Sequence, residues 1–338
     1  NDRDPKELIF NFKLCAVHFA VDDNEVKMCT RLCGKASWFL PFNKGNNDGA
    51  GNPPNPDGIK TDYLWKEILT KESLSNILEN YSQVVEKIDR KTNKVVGETM
   101  IFPRYHQLTV VRKLLADTLR NEVGKRYLIQ HSAGSGKSNS IAWLAYQLVK
   151  LEKSGKTFFD SIIVVTDRVN LDRQIRDTIR QFMQERSVVG WADDSSTLGS
   201  LLNAGKKIII TTIHKFPFIL SSIGTENKDK QFAIIIDEAH SSQTGSLFAK
   251  MNMAVSGNVC DDEEDIEDKI NKLIEGHRMV RNANYYAFTA TPKNKTLEMF
   301  GDAIPQPDGQ VRHVAFHTYS MRQAIQERFI LDVLEHYT

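Results

Sequence analysis

The stretch Tyr127–Ser140, YLIQHSAGSGKSNS, carries the clearest chemistry in this chain. Tyr127, Leu128 and Ile129 read as a short apolar strand. A Gly/Ser loop follows, and Lys137-Ser138 opens a helix that continues as IAWLAYQLVK. Glycine tolerates torsions that other residues resist, so the backbone N–H groups of Gly134, Ser135, Gly136, Lys137 and Ser138 can turn inward around an anion. The positive end of the helix adds to that cradle. Lys137 is then placed to reach the outer phosphates of a nucleoside triphosphate, and the Ser138 hydroxyl to ligate Mg²⁺. In the usual spelling, G-x-x-x-x-G-K-[ST], the first glycine is replaced here by His131.

A second cluster, Asp237-Glu238-Ala239-His240, ends the apolar run FAIII. At the end of a buried strand Asp237 can hold Mg²⁺, directly or through water. Glu238 can orient and deprotonate the water that attacks the γ-phosphate. His240 is suited to couple this cluster to the next one, Thr289-Ala290-Thr291-Pro292. Gln107 lies on a helix about one helix length before the phosphate loop. Its amide offers a donor and an acceptor, which matches the edge of adenine; the plainer alternative is an exposed glutamine on an amphipathic helix.

Elements of one kind must position these clusters. Ser161–Thr166, Lys207–Thr212, Phe232–Ile236 and Tyr285–Phe288 are short runs of the kind buried in parallel sheets. Helical text separates them, including Leu171–Phe182 and Ser196–Asn203, so the repeating unit is strand, loop, helix. Each polar cluster falls just beyond the carboxyl end of a strand, where such sheets bind ligands. The acidic run near 260 reads as a solvated insertion. Val314–Phe316 reads as one more strand, with the helix MRQAIQERFILDVLEHY after it.

Upstream, Lys13–Val21 and Glu25–Leu32 form two β-type runs around the turn Asp22-Asp23-Asn24. Residues 43–60 are almost all turn formers, either a flexible linker or a shaped loop that grips a partner. Residues 61–87 show helical stripes, and Lys94–Gly97 suggests a hairpin or an extended crossing.

The 338 residues suffice for about two domains. The net charge of +1 gives no bulk argument for nucleic acid, so any DNA track must be local. No apolar run approaches the ~20 residues of a membrane span. The charged start, without Met or signal peptide, suggests an excerpt of something longer. Four cysteines suggest a reducing, cytoplasmic setting. Cys15, His18, Cys29 and Cys33 invite a zinc reading, but in strand-like text Cys15 and His18 should face opposite sides of a sheet. Free thiols fit better.

This ordered set resembles the first motor lobe of superfamily 2 helicases and translocases over residues 101–320. The resemblance implies ATP and Mg²⁺ as cofactors, with Lys137, Asp237 and Glu238 catalytic. Gln107 and Gly134–Ser138 would bind the nucleotide, and Ser138 and Asp237 the metal. Thr166, Arg168, Thr211, Thr212 and Lys215 would touch DNA phosphates, contacts that give affinity without sequence information. His240, Thr289 and Thr291 would couple ATP state to DNA. More narrowly, IQHSAGSGKSNSIAWLA, IIVVTDR, ITTIHKFPF, IIDEAHSSQTG and AFTATPKNKTLEMFG, with DRDPKELIFNFK, LPFNKGN and GAGNPPNP upstream, are similar to the R subunit of type I restriction enzymes.

That resemblance implies a RecA-like α/β lobe whose parallel sheet is flanked by helices. Before it would lie the C-terminal part of a restriction-endonuclease-like domain. The expected division is 1–60 nuclease end, 61–100 helical and extended linker, 101–320 motor lobe, and 321–338 the connection to a second lobe. The partners implied are double-stranded DNA, the methyltransferase and specificity subunits, and that second lobe in the full-length chain. Nuclease catalytic residues are expected upstream of Asn1, and γ-phosphate-stabilising arginines beyond Thr338. A fragment lacking both should cut no DNA and hydrolyse ATP poorly. Glu25 and Lys27 have a nuclease-like spelling but read as a surface hairpin pair. The rival readings are a repair or replication helicase and a nucleotide-binding docking scaffold.

Overall fold

The computed structural model describes residues 4, 7–89, 92, 94–166, 179, 188–192, 194–225, 227–237 and 280–331. The chain divides into two compact units. One comprises Asn1–Lys113, Ala133–Trp143 and Tyr319–Thr338; the other comprises Leu114–Ser132 and Leu144–Thr318.

The second unit is built on a seven-stranded sheet. Its strands are β6 (Arg126–His131), β9 (Ser161–Thr166), β10 (Val189–Ala192), β11 (Ile208–Thr212), β12 (Phe232–Asp237), β13 (Ala283–Thr289) and β16 (His317–Tyr319). Their order across the sheet is β10-β11-β9-β12-β13-β6-β16, and every pair from β10 to β6 is parallel. β9 and β12 are buried at every position, which is why their text carries unbroken β-branched runs, IIVV and III, instead of alternating. Helices cover the sheet. On one face Ile163, Val165, Ile209, Ile234, Ile236 and Tyr285 pack with Leu198 and Leu202 of α4 (Ser195–Asn203), Ile219 and Ile223 of α5 (Phe216–Thr225), and Phe300 of α6 (Asn294–Phe300). This is the expected RecA-like α/β sheet.

Two small hairpins decorate this unit: β7 (Glu152–Lys153) with β8 (Lys156–Thr157), and β14 (Asp302–Pro305) with β15 (Val311–Val314). The strand expected at Val314–Phe316 is instead two, β15 and β16, with Ala315 and Phe316 between them.

The first unit opens with a three-stranded antiparallel sheet of β1 (His18–Val21), β2 (Val26–Cys29) and β3 (Leu40–Pro41). The Asp22 carboxylate shapes the hairpin turn by accepting from the Asn24 and Glu25 N–H groups. Residues 43–52 form a shaped loop. The Asn43 side chain accepts from Val26 N at 2.9 Å and from Asn52 Nδ2 at 2.9 Å, and Asn52 accepts from Lys44 N at 2.9 Å. Both asparagines are buried, because their amides replace the backbone partners that an irregular segment lacks.

After a π-turn at Leu64–Ile68 comes α1 (Lys71–Asn80). The helical reading of 61–87 stops too late: Gln83–Ile88 is β4, antiparallel to β5 (Val95–Ile101). Pairing with β5 overrides the local helical pattern. Phe19, Phe42, Tyr63, Phe102 and Tyr105 form an aromatic core with ring centroids 5.2–6.4 Å apart. α2 (Tyr105–Arg120) and α3 (Lys137–Val149) bracket the candidate site in the sequence.

Cys15 precedes β1 in a turn, so it does not sit opposite His18 on a sheet; its Sγ lies 3.6 Å from His18 Nδ1. Among the described residues no group of three or more His, Cys, Asp or Glu could hold a metal ion. Cys15, Cys29 and Cys33 are free, and the first two donate to the carbonyls of Val17 and Arg31. Glu25 and Lys27 are exposed and form an ion pair at 3.5 Å. No described helix is long and apolar enough to cross a membrane.

Candidate functional site

The phosphate loop turns on two glycines. Gly134 and Gly136 have φ of +70° and +77°, a region costly to residues with a Cβ. His131 has no such torsion: it is the last residue of β6, so glycine is not required there. It is fully buried, and its Nε2 lies 2.9 Å from His317 Nδ1 on β16.

Side chains at the start of α2 hold the loop. The Arg104 guanidinium donates to the Gly134 carbonyl at 3.0 Å. His106 Nε2 lies 3.0 Å from the Ser135 carbonyl. Gln107 Nε2 donates to the Ser135 and Gly136 carbonyls at 3.2 and 3.0 Å. All three residues are buried. Gln107 also closes half of a capping box, its Oε1 accepting from Arg104 N at 3.0 Å.

The consequence follows from peptide geometry. In a trans, planar peptide the N–H points opposite to the preceding C=O. None of the described peptides is cis. Carbonyls 134, 135 and 136 accept from residues at the start of α2, and that of Gly136 also from Asn139 N and Ser140 N of α3, so the N–H groups of the peptides that follow point away from those partners. That orientation suits a polyphosphate. The Ser135 hydroxyl is buried with no hydrogen-bond partner among the described residues, a further polar group fitted to a bound ligand. Lys137 and Ser138, the first two residues of α3, are half-buried.

Gln107 thus sits beside the loop, its Nε2 on the loop carbonyls and its Oε1 on Arg104 N. Arg104 and His106 were not singled out from the sequence. The available signal was the text Phe-Pro-Arg-Tyr-His-Gln leading into the helix, where polar residues at a helix start can reach back to an adjoining loop.

The sheet gathers the other half of the set. Register places Thr212, Thr166, Asp237, Phe288 and Ile129 in one row across β11, β9, β12, β13 and β6. Adjacent strands lie about 4.8 Å apart, so Thr166 and Asp237 are direct neighbours on one face. Asp237 is buried at the end of β12. Thr166 and Thr211 are fully buried, and their hydroxyls donate to the carbonyls of Thr211 and Ala192. Lys215 Nζ donates to Thr212 Oγ1 at 3.2 Å. Thr289 ends β13 with its hydroxyl buried and without a hydrogen-bond partner among the described residues, and Thr291 is exposed. Arg168, Glu238 and His240 lie outside the described residues, as do the helix at 171–182 apart from Ile179 and the acidic run near 260.

Comparison with known proteins gives one family. The SWI2/SNF2 ATPase model matches residues 106–337. No curated protein matches the chain. Similar solved structures include a fragment assigned as an HsdR subunit of a type I restriction enzyme from Vibrio vulnificus YJ016, at 16% identity and TM-score 0.40, covering 92% of this chain and 43% of that one. The UvsW helicase from bacteriophage T4 is 12% identical with TM-score 0.32, covering 65% of this chain and 61% of that one. The Sulfolobus solfataricus SWI2/SNF2 ATPase core, in complex with dsDNA, is 15% identical with TM-score 0.33, covering 55% and 31%. The chain spans less than two thirds of each of these structures.

Proposed function

This chain belongs to the SWI2/SNF2 ATPase family and is a superfamily 2 helicase-like ATPase motor domain; from that premise we propose that it powers DNA translocation in the R subunit of a type I restriction enzyme. The observation that carries the nucleotide part is that Arg104, His106 and Gln107 engage three consecutive carbonyls of the glycine loop. It orients the N–H groups of Ser135 and Gly136 away from α2, toward a triphosphate.

Lys137 would neutralise its outer phosphates. Ser138 and Asp237 would each offer an oxygen of the kind Mg²⁺ prefers. Bound there, the ion would polarise the γ-phosphate and offset charge on the leaving group. Glu238 would orient and deprotonate the attacking water. Gln107 would select adenine, its bonds to the loop exchanging with bonds to the base. Arg168, Thr212 and Lys215 would face the DNA backbone, the buried Thr166 and Thr211 supporting them from the strand ends, with His240, Thr289 and Thr291 relaying the ATP state.

Two features support the restriction reading over a generic helicase. The text of residues 1–60 is similar to the region after the nuclease motif of R subunits. The loop at 43–52 also belongs to the same compact unit as the phosphate loop, an association a stand-alone helicase has no need of. Cleavage would occur with methyltransferase and specificity subunits, in the cytoplasm. The family match taken alone is equally consistent with the second reading, a superfamily 2 helicase serving repair or replication.

The test is ATP hydrolysis and plasmid cleavage by the full-length subunit assembled with methyltransferase and specificity subunits. The restriction reading expects both activities on unmethylated plasmid, neither on methylated plasmid, and loss of both in Lys137→Ala. Hydrolysis on either plasmid with no cut assigns the chain to the second reading.

A further inference from the structure

The segment that follows β16 touches two parts of the first unit at once. Ser320 caps α7 (Met321–Gln326), accepting from Gln323 N at 2.9 Å. On one side the segment lies in the 43–52 loop. Ser320 Oγ donates to the Asp48 carbonyl at 2.5 Å, and Ala50 N donates to Gln326 Oε1 at 2.7 Å. Glycines permit this approach. A Cβ on Gly49 would lie 2.6 Å from Gln326 Oε1, and one on Gly45 would lie 2.8 Å from Gln323 Nε2.

On its other side the segment covers the residues that pin the phosphate loop. The Tyr319 ring stacks on His106 with centroids 3.8 Å apart. The Phe329 ring lies 4.0 Å from the centre of the Arg104 guanidinium. A Cβ on Gly134 would lie 3.4 Å from the Phe329 carbonyl. Between the two sides sits Glu327, buried, accepting from Tyr319 Oη at 2.7 Å and from Gln323 Nε2 at 2.9 Å. Arg104 keeps its charge at any accessible pH, and the acidic groups beside it are Tyr319 and Glu327. Burial raises the Glu327 carboxyl, while the bonds from Tyr319 and Gln323 and the charge of Arg104 oppose that rise.

We propose that Tyr319–Phe329 is a positioning clamp for the phosphate loop, latched by the 43–52 loop, so that nucleotide affinity answers to whatever moves that loop. Arg104 and His106 are its positioning residues; they set the loop carbonyls, and thereby the N–H groups, without needing to touch phosphate. The segment holds both of them by ring contact. The latch, Gln326 to Ala50 and Ser320 to Asp48, lies on the opposite side and fixes the segment in register. The proposal rests on the nucleotide reading above.

The experiment uses the full-length chain and a fluorescent ATP analogue, with hydrolysis at saturating ATP and melting temperature measured alongside. Gln326 is exposed, so Gln326→Ala tests the latch with little risk to folding. The clamp predicts a Kd raised about threefold to tenfold, the weight of one or two hydrogen bonds, with kcat at saturation little changed. Tyr319→Phe keeps the stack and loses the bond to Glu327, so it should shift Kd in the same direction. Arg104→Lys keeps the charge and loses the planar fork, and should raise Kd more than either. Unchanged Kd in all three variants, with binding lost in Lys137→Ala, overturns the clamp and leaves the nucleotide site standing. Unchanged binding in Lys137→Ala overturns the nucleotide reading and the clamp with it.

Discussion

Gln107 and Gly136 fit each other closely: Gln107 Nε2 donates to the Gly136 carbonyl at 3.0 Å, and a Cβ on residue 136 would lie 2.4 Å from that same nitrogen. The contact requires glycine twice over, for space and for a φ of +77°. Gly136→Ala should therefore displace Gln107 and strain the loop, at a cost of about 1 kcal/mol or more. A titration with an ATP analogue should show affinity lowered at least tenfold, with a smaller loss in melting temperature. Wild-type affinity in this variant would mean that the loop does not hold the nucleotide.

Lys215 and Thr211 should separate cleanly. Lys215 ends on Thr212 Oγ1, half-buried, where it can still meet a phosphate. Thr211 is fully buried and donates to the Ala192 carbonyl. Lys215→Ala should weaken DNA binding on all sequences alike and reduce the salt slope by about one. Thr211→Val should leave the slope unchanged and cost about 1 kcal/mol of stability. A slope altered by Thr211→Val alone would reverse these assignments.

Arg112 ties α2 to α1 with four hydrogen bonds, to Ser73 Oγ, the Ser73 carbonyl and twice to Asn76 Oδ1. A lysine cannot reproduce that planar fork. Arg112→Lys should cost about 1.5–3 kcal/mol, the range for hydrogen bonds from a charged donor. Denaturant unfolding checks this; a loss below about 0.5 kcal/mol, the level of an ordinary surface substitution, contradicts it.

Glu327 gives a pH dependence whose sign is set. Its carboxyl titrates above the usual 4.5 because burial disfavours the charge. The folded state then holds a proton that the unfolded state releases. The associated stability is fully present below 4.5 and is lost as pH rises through the raised value. Glu327→Gln removes this dependence. The melting temperature of the variant minus that of wild type should therefore increase as pH is taken upward from 4.5. A flat or falling difference would mean that the carboxyl is not raised.

The parallel sheet could be read in the chain because burial on both faces leaves a local mark: IIVV, IIITT and AIII admit no alternation. β10 left none. Val189–Ala192 carries Gly190 in its middle, and glycine argues against a strand until its neighbour is known. A Cβ there would lie 2.8 Å from Leu201 Cδ2, so the glycine serves close packing by α4. The phosphate loop was visible because its glycines and Lys137 are contiguous. The residues that hold it were not. Arg104 before a helix reads as a surface charge, and Tyr319, Glu327 and Phe329 meet it from more than two hundred residues away. Gln107 shows the same limit: its type announces two-sided hydrogen bonding, but only the fold reveals carbonyls 135 and 136 as its partners.

The most direct test of the central claim is ATP hydrolysis by the full-length chain, with and without double-stranded DNA, in wild type and Lys137→Ala. A motor built on this loop predicts hydrolysis that DNA stimulates and that the substitution abolishes. Hydrolysis that DNA does not change, or that survives loss of the Lys137 amine, would contradict it.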